Sequence, residues 1–118
     1  MLKSTSTEET KTDETTIIGR GVKIDGKLNC DGNIRVEGEI KGDILSKSSV
    51  IIGEKGNVNG QINADIITIG GKVSGTVKAN KKILLDTTGN LEGDIFTKIL
   101  VVEEGAKFEG NSKMGDSG

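Results

Sequence analysis

Few side chains in this sequence can do covalent or acid–base chemistry, and they do not converge on one place. The chain has no His. That excludes an imidazole base, a His-ligated metal and a Ser-His or Cys-His nucleophile pair. The one thiol, Cys30, is a possible nucleophile, but it recurs in a column of small residues with Ser46, Ala64, Ala79 and Thr97. A free Cys in such company acts as a small buried hydrophobe, and core filling is its expected role. Gly19-Arg20-Gly21 and Gly70-Gly71-Lys72 invite a phosphate-binding reading. Neither has the Gly-Lys-Ser/Thr ending or the following helix of a phosphate loop, so both are read as turns. The pairs Glu8-Glu9 and Glu103-Glu104 lack a second feature to organise a carboxylate dyad and are read as solvated corners. A calcium-binding nonapeptide does not fit either, because Asp does not recur at one column. No catalytic residue, cofactor or metal is expected.

The elements that hold these residues follow from composition. With 118 residues the chain has room for one small domain. Hydrophobic residues make up 32% and include only two Phe, with no Trp or Tyr, so the core must be aliphatic. A single Cys cannot form an internal disulfide and favours a reducing compartment. Residues 1–15 carry Lys3 and Lys11 against Glu8, Glu9, Asp13 and Glu14, which leaves the rest of the chain neutral. A neutral body without a basic patch argues against nucleic acid as a partner. No apolar run reaches the roughly 20 residues of a membrane span, and no signal-like segment opens the chain. The cytoplasm is the expected compartment. Residues 1–15 and 113–118 are polar and are expected to be disordered tails around a domain at 16–112.

Internal repeats decide the architecture. One Gly sits between aliphatics in Ile24-Asp25-Gly26-Lys27-Leu28, and again around Gly42, Gly60, Gly75, Gly93 and Gly110. These glycines are 16, 18, 15, 18 and 17 residues apart. Other columns keep the same beat, such as Ile18, Val36, Ile52, Ile69, Leu85, Val102 and Ile34, Val50, Ile67, Ile83, Leu100. Within each copy apolar and polar residues alternate, which means strand. Strands repeating about every 17 residues describe an all-β solenoid, a β-helix of about six coils. Pro is absent, as expected where each coil needs its N–H groups for the next. The column Gly is expected to serve a tight corner or a close backbone approach.

The repeats Ile18-Gly19-Arg20-Gly21-Val22, Val36-Glu37-Gly38-Glu39-Ile40-Lys41-Gly42 and Ile52-Gly53-Glu54-Lys55-Gly56-Asn57-Val58-Asn59-Gly60 resemble the bactofilins, bacterial cytoskeletal proteins that form polymers. The resemblance covers about residues 16–112. It implies a right-handed β-helix that joins end to end into filaments without nucleotide. It also implies a place on the inner face of the cytoplasmic membrane, and a scaffolding role for cell shape or wall-modifying enzymes. Met1, Leu2 and Lys3 are the only apolar-plus-basic anchor that the tail offers to a membrane surface.

Two kinds of surface are then candidates for function. An uncapped solenoid exposes strand edges and apolar rungs at its ends, which invites end-to-end pairing. Ile18, Ile24 and Leu28 in the first coil, with Val102 and Phe108 in the last, are the expected polymerisation residues. The second surface is an outward ladder that should be polar but reads Ile17, Arg35, Ile51, Thr68, Leu84, Val101, flanked by Ile66 and Ile99. Such a stripe marks lateral filament contact or partner docking, or is covered by a tail folding back. The alternatives to a polymer are a monomeric adaptor docking through this stripe and a hexapeptide-repeat acyltransferase. The enzyme requires a six-residue period and a His, and this chain has neither.

Overall fold

Alternating β-branched residues favour extended chain with one buried face, and a short repeat stacks each such face on the next. The computed structural model describes residues 9–10 and 16–114. It is all-β, with eleven strands and no helix among those residues. The strands are β1 (Glu9–Thr10), β2 (Thr16–Ile18), β3 (Lys23–Cys30), β4 (Ile34–Val36), β5 (Glu39–Ser46) and β6 (Ser49–Ile52). They continue as β7 (Asn57–Ile69), β8 (Lys72–Leu85), β9 (Asn90–Thr97), β10 (Ile99–Val102) and β11 (Lys107–Met114). All pairings are parallel, and the chain winds into a β-solenoid of about six turns.

Two ladders of strands form the walls. One runs β1-β3-β5-β7-β8-β9-β11, and the other runs β2-β4-β6 and on through the C-terminal parts of β7 and β8 to β10. Long strands β7 and β8 belong to both because they round a corner, marked by a register shift between Ala64 and Ile66. Between the walls, backbone bonds continue around the bend. Gly53 donates to Val36, Gly70 to Ile52 and Asp86 to Ile69, at 2.7–2.8 Å. A Pro at any of these positions would orphan a carbonyl of the coil before it.

The predicted columns are the core. Ile34, Val50, Ile67 and Ile83 stack in register and are fully buried, as are Ile40, Val58, Val73 and Leu91 on the opposite wall. The small column fills the tight corner, with Cys30 paired to Ser46 and Ala64 to Ala79. Its polar members are satisfied locally. The Ser46 hydroxyl donates to the Gly32 carbonyl at 2.7 Å, and that of Thr97 donates to Ile99 at 3.1 Å.

The Gly column has the expected cause. Its six members all have φ between +130° and +148°, a region that side chains rarely adopt. A Cβ on Gly75 would overlap the carbonyl oxygen of Gly60 in the preceding coil. A second ladder, Gly38, Gly56, Gly71 and Gly89, lines another corner, where a Cβ would also press on backbone oxygens.

Within the segment expected to be a disordered tail, Glu9–Thr10 pairs with Asn29–Cys30 of β3. The last strand runs to Met114, two residues past the expected domain end. The anchor residues Met1, Leu2 and Lys3 lie outside the described residues.

Candidate assembly surfaces

The two ends of the solenoid follow from where strand pairing stops. At the C-terminal end, among the described residues, β10 pairs only with β8 and β11 only with β9, so each leaves an edge of N–H and C=O groups unpaired. Phe108 stacks in register on the fully buried Leu91 and is itself half-buried. Leu100 and Ala106 sit beside it, partly buried against the core, and Val102 is 48% exposed.

At the N-terminal end β2 pairs, among the described residues, only with β4. The outer edge of β3 meets β1 at Asn29 and Cys30 and is unpaired from Lys23 to Leu28 among the described residues. Ile24 and Leu28 are half-buried there. Ile18 takes its place in the core column read from the repeat, stacked on Val36 with 7% of its surface left, so at this end it offers mainly its backbone edge. Val22, 41% exposed, presents apolar surface at this end instead.

The outward ladder is assembled by the register of β2, β4, β6, β7, β8 and β10. Ile17 pairs with Arg35, Arg35 with Ile51, Ile51 with Thr68, Thr68 with Leu84 and Leu84 with Val101. Ile17 is 64% exposed; Ile51 and Leu84 are half-buried between fully buried neighbours, and Val101 is half-buried. Ile66 and Ile99 flank the ladder, and Ile99 is 53% exposed. Arg35 is drawn aside by Glu37, with Nε and Oε2 3.0 Å apart.

The residues singled out for chemistry are dispersed around this shape. Cys30 is buried, with the Thr16 hydroxyl 3.5 Å from its sulfur. Gly19-Arg20-Gly21 and Gly70-Gly71-Lys72 lie at corners between strands, and Glu103 and Glu104 are exposed at another. They form no common pocket.

A neutral aliphatic solenoid built on this repeat, with open strand edges at both ends among the described residues, also has a family signature. Residues 16–113 match the profile of the bactofilins, described as polymer-forming cytoskeletal. The chain belongs to the bactofilin family. It is similar to Bactofilin BacN of Myxococcus xanthus (strain DK1622), with 52% identity over 103 residues, 87% of this chain and 91% of that one. No solved structure matches the chain significantly. The match begins at Thr16, where the first solenoid strand begins. This bactofilin is thus a member of a structural, polymer-forming cytoskeletal family.

Sequence reasoning missed four surface members of this bactofilin. Leu100 and Ala106 complete the C-terminal end, and Leu100 was legible as the last member of a core column with no coil beyond it. Leu45 and Phe96, 46% and 36% exposed, stand on the outward ladder Asn29, Leu45, Asn63, Lys78, Phe96. The Lys78 ammonium lies 5.5 Å from the Phe96 ring, a cation–π contact that partly shields it.

Proposed function

We propose that this chain assembles end to end into filaments that need no nucleotide and that serve as a scaffold. The observation that carries the reading is the state of the two ends. Core columns run out at Ile24 and Leu28 on one side and at Leu100 and Phe108 on the other, and unpaired strand edges surround them. A second copy stacked on either end continues both the apolar columns and the parallel or antiparallel ladder of backbone bonds. The chain's own fold repeats the same stacking at each coil.

In this reading the polymer lies at the inner face of the cytoplasmic membrane and positions cell-shape or wall-modifying machinery. Met1, Leu2 and Lys3 are a weak anchor singly, and a filament displays many of them, which multiplies a weak membrane affinity. No catalytic step is assigned to the chain. Negative-stain microscopy of the purified protein tests the reading, alongside sedimentation. Filaments are expected without added nucleotide, whereas a species that stays near 12.4 kDa at all concentrations supports a monomeric adaptor instead.

A further inference from the structure

The outward stripe is bordered by charge of opposite sign on its two long sides. Before the stripe, in the C-terminal coils, stand Lys81, Lys82 and Lys98; after it stand Asp86, Glu103 and Glu104. All are exposed except Lys82, which is half-buried, and none is in an ion pair among the described residues. The register puts Ile99 beside Lys82 and Val102 beside Leu85, so Lys98 is stacked near Lys81 and Glu103 near Asp86. Like charges stacked on adjacent strands destabilise a lone molecule. Asp65, held by Asn80, is outnumbered in the lysine band, and no member of the acidic band has an ion-pair partner among the described residues.

We infer that this face pairs with the same face of a second copy, the two solenoid axes running in the same direction. The direction follows from symmetry. A two-fold axis along the ladder of Thr68, Leu84 and Val101 exchanges residues equally spaced on either side of that ladder. Lys82 and Asp86 stand two residues before and after Leu84, and Lys98 and Glu104 three before and after Val101. The operation therefore sets Lys82 of one copy against Asp86 of the other, and Lys98 against Glu104, with Leu84 and Val101 closing the middle. A two-fold axis along the strands, which makes the solenoids run oppositely, sets Lys against Lys and acid against acid. Charge complementarity selects the first arrangement, which is isologous and closes at two copies.

The face is small. Four residue rises by six coil spacings give about 13 Å by about 29 Å, roughly 400 Å² per copy. Stable pairs bury about 800 Å² per partner, so an isolated pair is weak and a row of such faces along a filament is needed. In this form the inference rests on the end-to-end polymer proposed above, and the product is a ribbon two filaments wide.

The test reads length and width separately, by negative-stain microscopy of purified protein at low and high salt. Wild type is expected as paired filaments at low salt that separate into single ones near 1 M salt, where the screening length is about 3 Å. Lys82→Glu with Lys98→Glu makes both borders acidic and should leave long single filaments. Adding Asp86→Lys and Glu104→Lys exchanges the two borders and should restore pairing. Wild-type filaments that stay single at low salt leave the face to another occupant and overturn the inference. Pairing unaffected by the border reversal, or not restored by the exchange, overturns it as well. Should no filaments form at all, the end-to-end reading fails instead. Sedimentation at high concentration then decides: a two-copy species removed by the reversal and restored by the exchange sustains the face pairing, and a monomer throughout ends it.

Discussion

Phe108 lies one coil beyond Leu91 in the same core column, and among the described residues no further coil lies beyond Phe108. Leu91 is fully buried between Val73 and Phe108, while Phe108 is covered on one side only. Among the described residues the periodic fold stops without a cap, and the consequences can be measured.

The Gly column separates backbone strain from stacking. Gly75→Ala forces a side chain into a φ of +130° and into the Gly60 carbonyl. Gly26→Ala meets a φ of +138° but no atom within 4 Å. Gly26→Ala is expected to cost about 1–3 kcal/mol, the range for a strained backbone position, and Gly75→Ala clearly more. Denaturant unfolding of the two variants checks the order. Equal losses would mean that the coils do not press on one another as described.

The in/out alternation of the stripe can be tested by neighbours. Leu84→Lys with Val101→Lys places charge on half-buried outward positions and should leave cooperative unfolding intact while abolishing lateral pairing. Ile83→Lys, one residue away and fully buried, should unfold the protein, because it leaves an unpaired charge in an aliphatic core. A one-residue slip in register would reverse the two outcomes. Circular dichroism against temperature distinguishes them.

Much of this was legible before any coordinates, for a physical reason. Period two marks which side chains face in, and a repeat near 17 residues marks which of them stack. Ile34, Val50, Ile67 and Ile83 were therefore readable as one column. What escaped was carried by backbone or by distance in sequence. Glu9–Thr10 joins β3 through main-chain bonds that leave no apolar signal. The charged borders become visible only when residues about one repeat apart are laid side by side.

Removing residues 1–15 takes away β1 but none of the core residues identified among the described residues. The truncated chain is expected to keep its β-type circular dichroism and to polymerise. Any binding to anionic vesicles should be lost with Met1, Leu2 and Lys3. Loss of the β signal would show that the β1 contact with β3 is needed for folding.

Filament growth should proceed equally with chelator present and with no ATP or GTP, since stacking apolar columns and strand edges requires neither. Light scattering of purified protein reports it. A dependence on nucleotide or Mg²⁺ would point to a site that this account does not contain.

The most direct measurement is the electron microscopy of Phe108→Arg. Burying the outer face of Phe108 against a second molecule contributes roughly 1.5–3 kcal/mol per molecule. Arg at that place puts a charge at the end face, and in a two-fold end-to-end contact each charge meets its own copy at low dielectric. The other coils keep their columns, so the fold should survive. The account predicts short soluble species with unchanged β structure where wild type forms filaments. Long filaments of Phe108→Arg would contradict it, because the C-terminal end could not then be a junction.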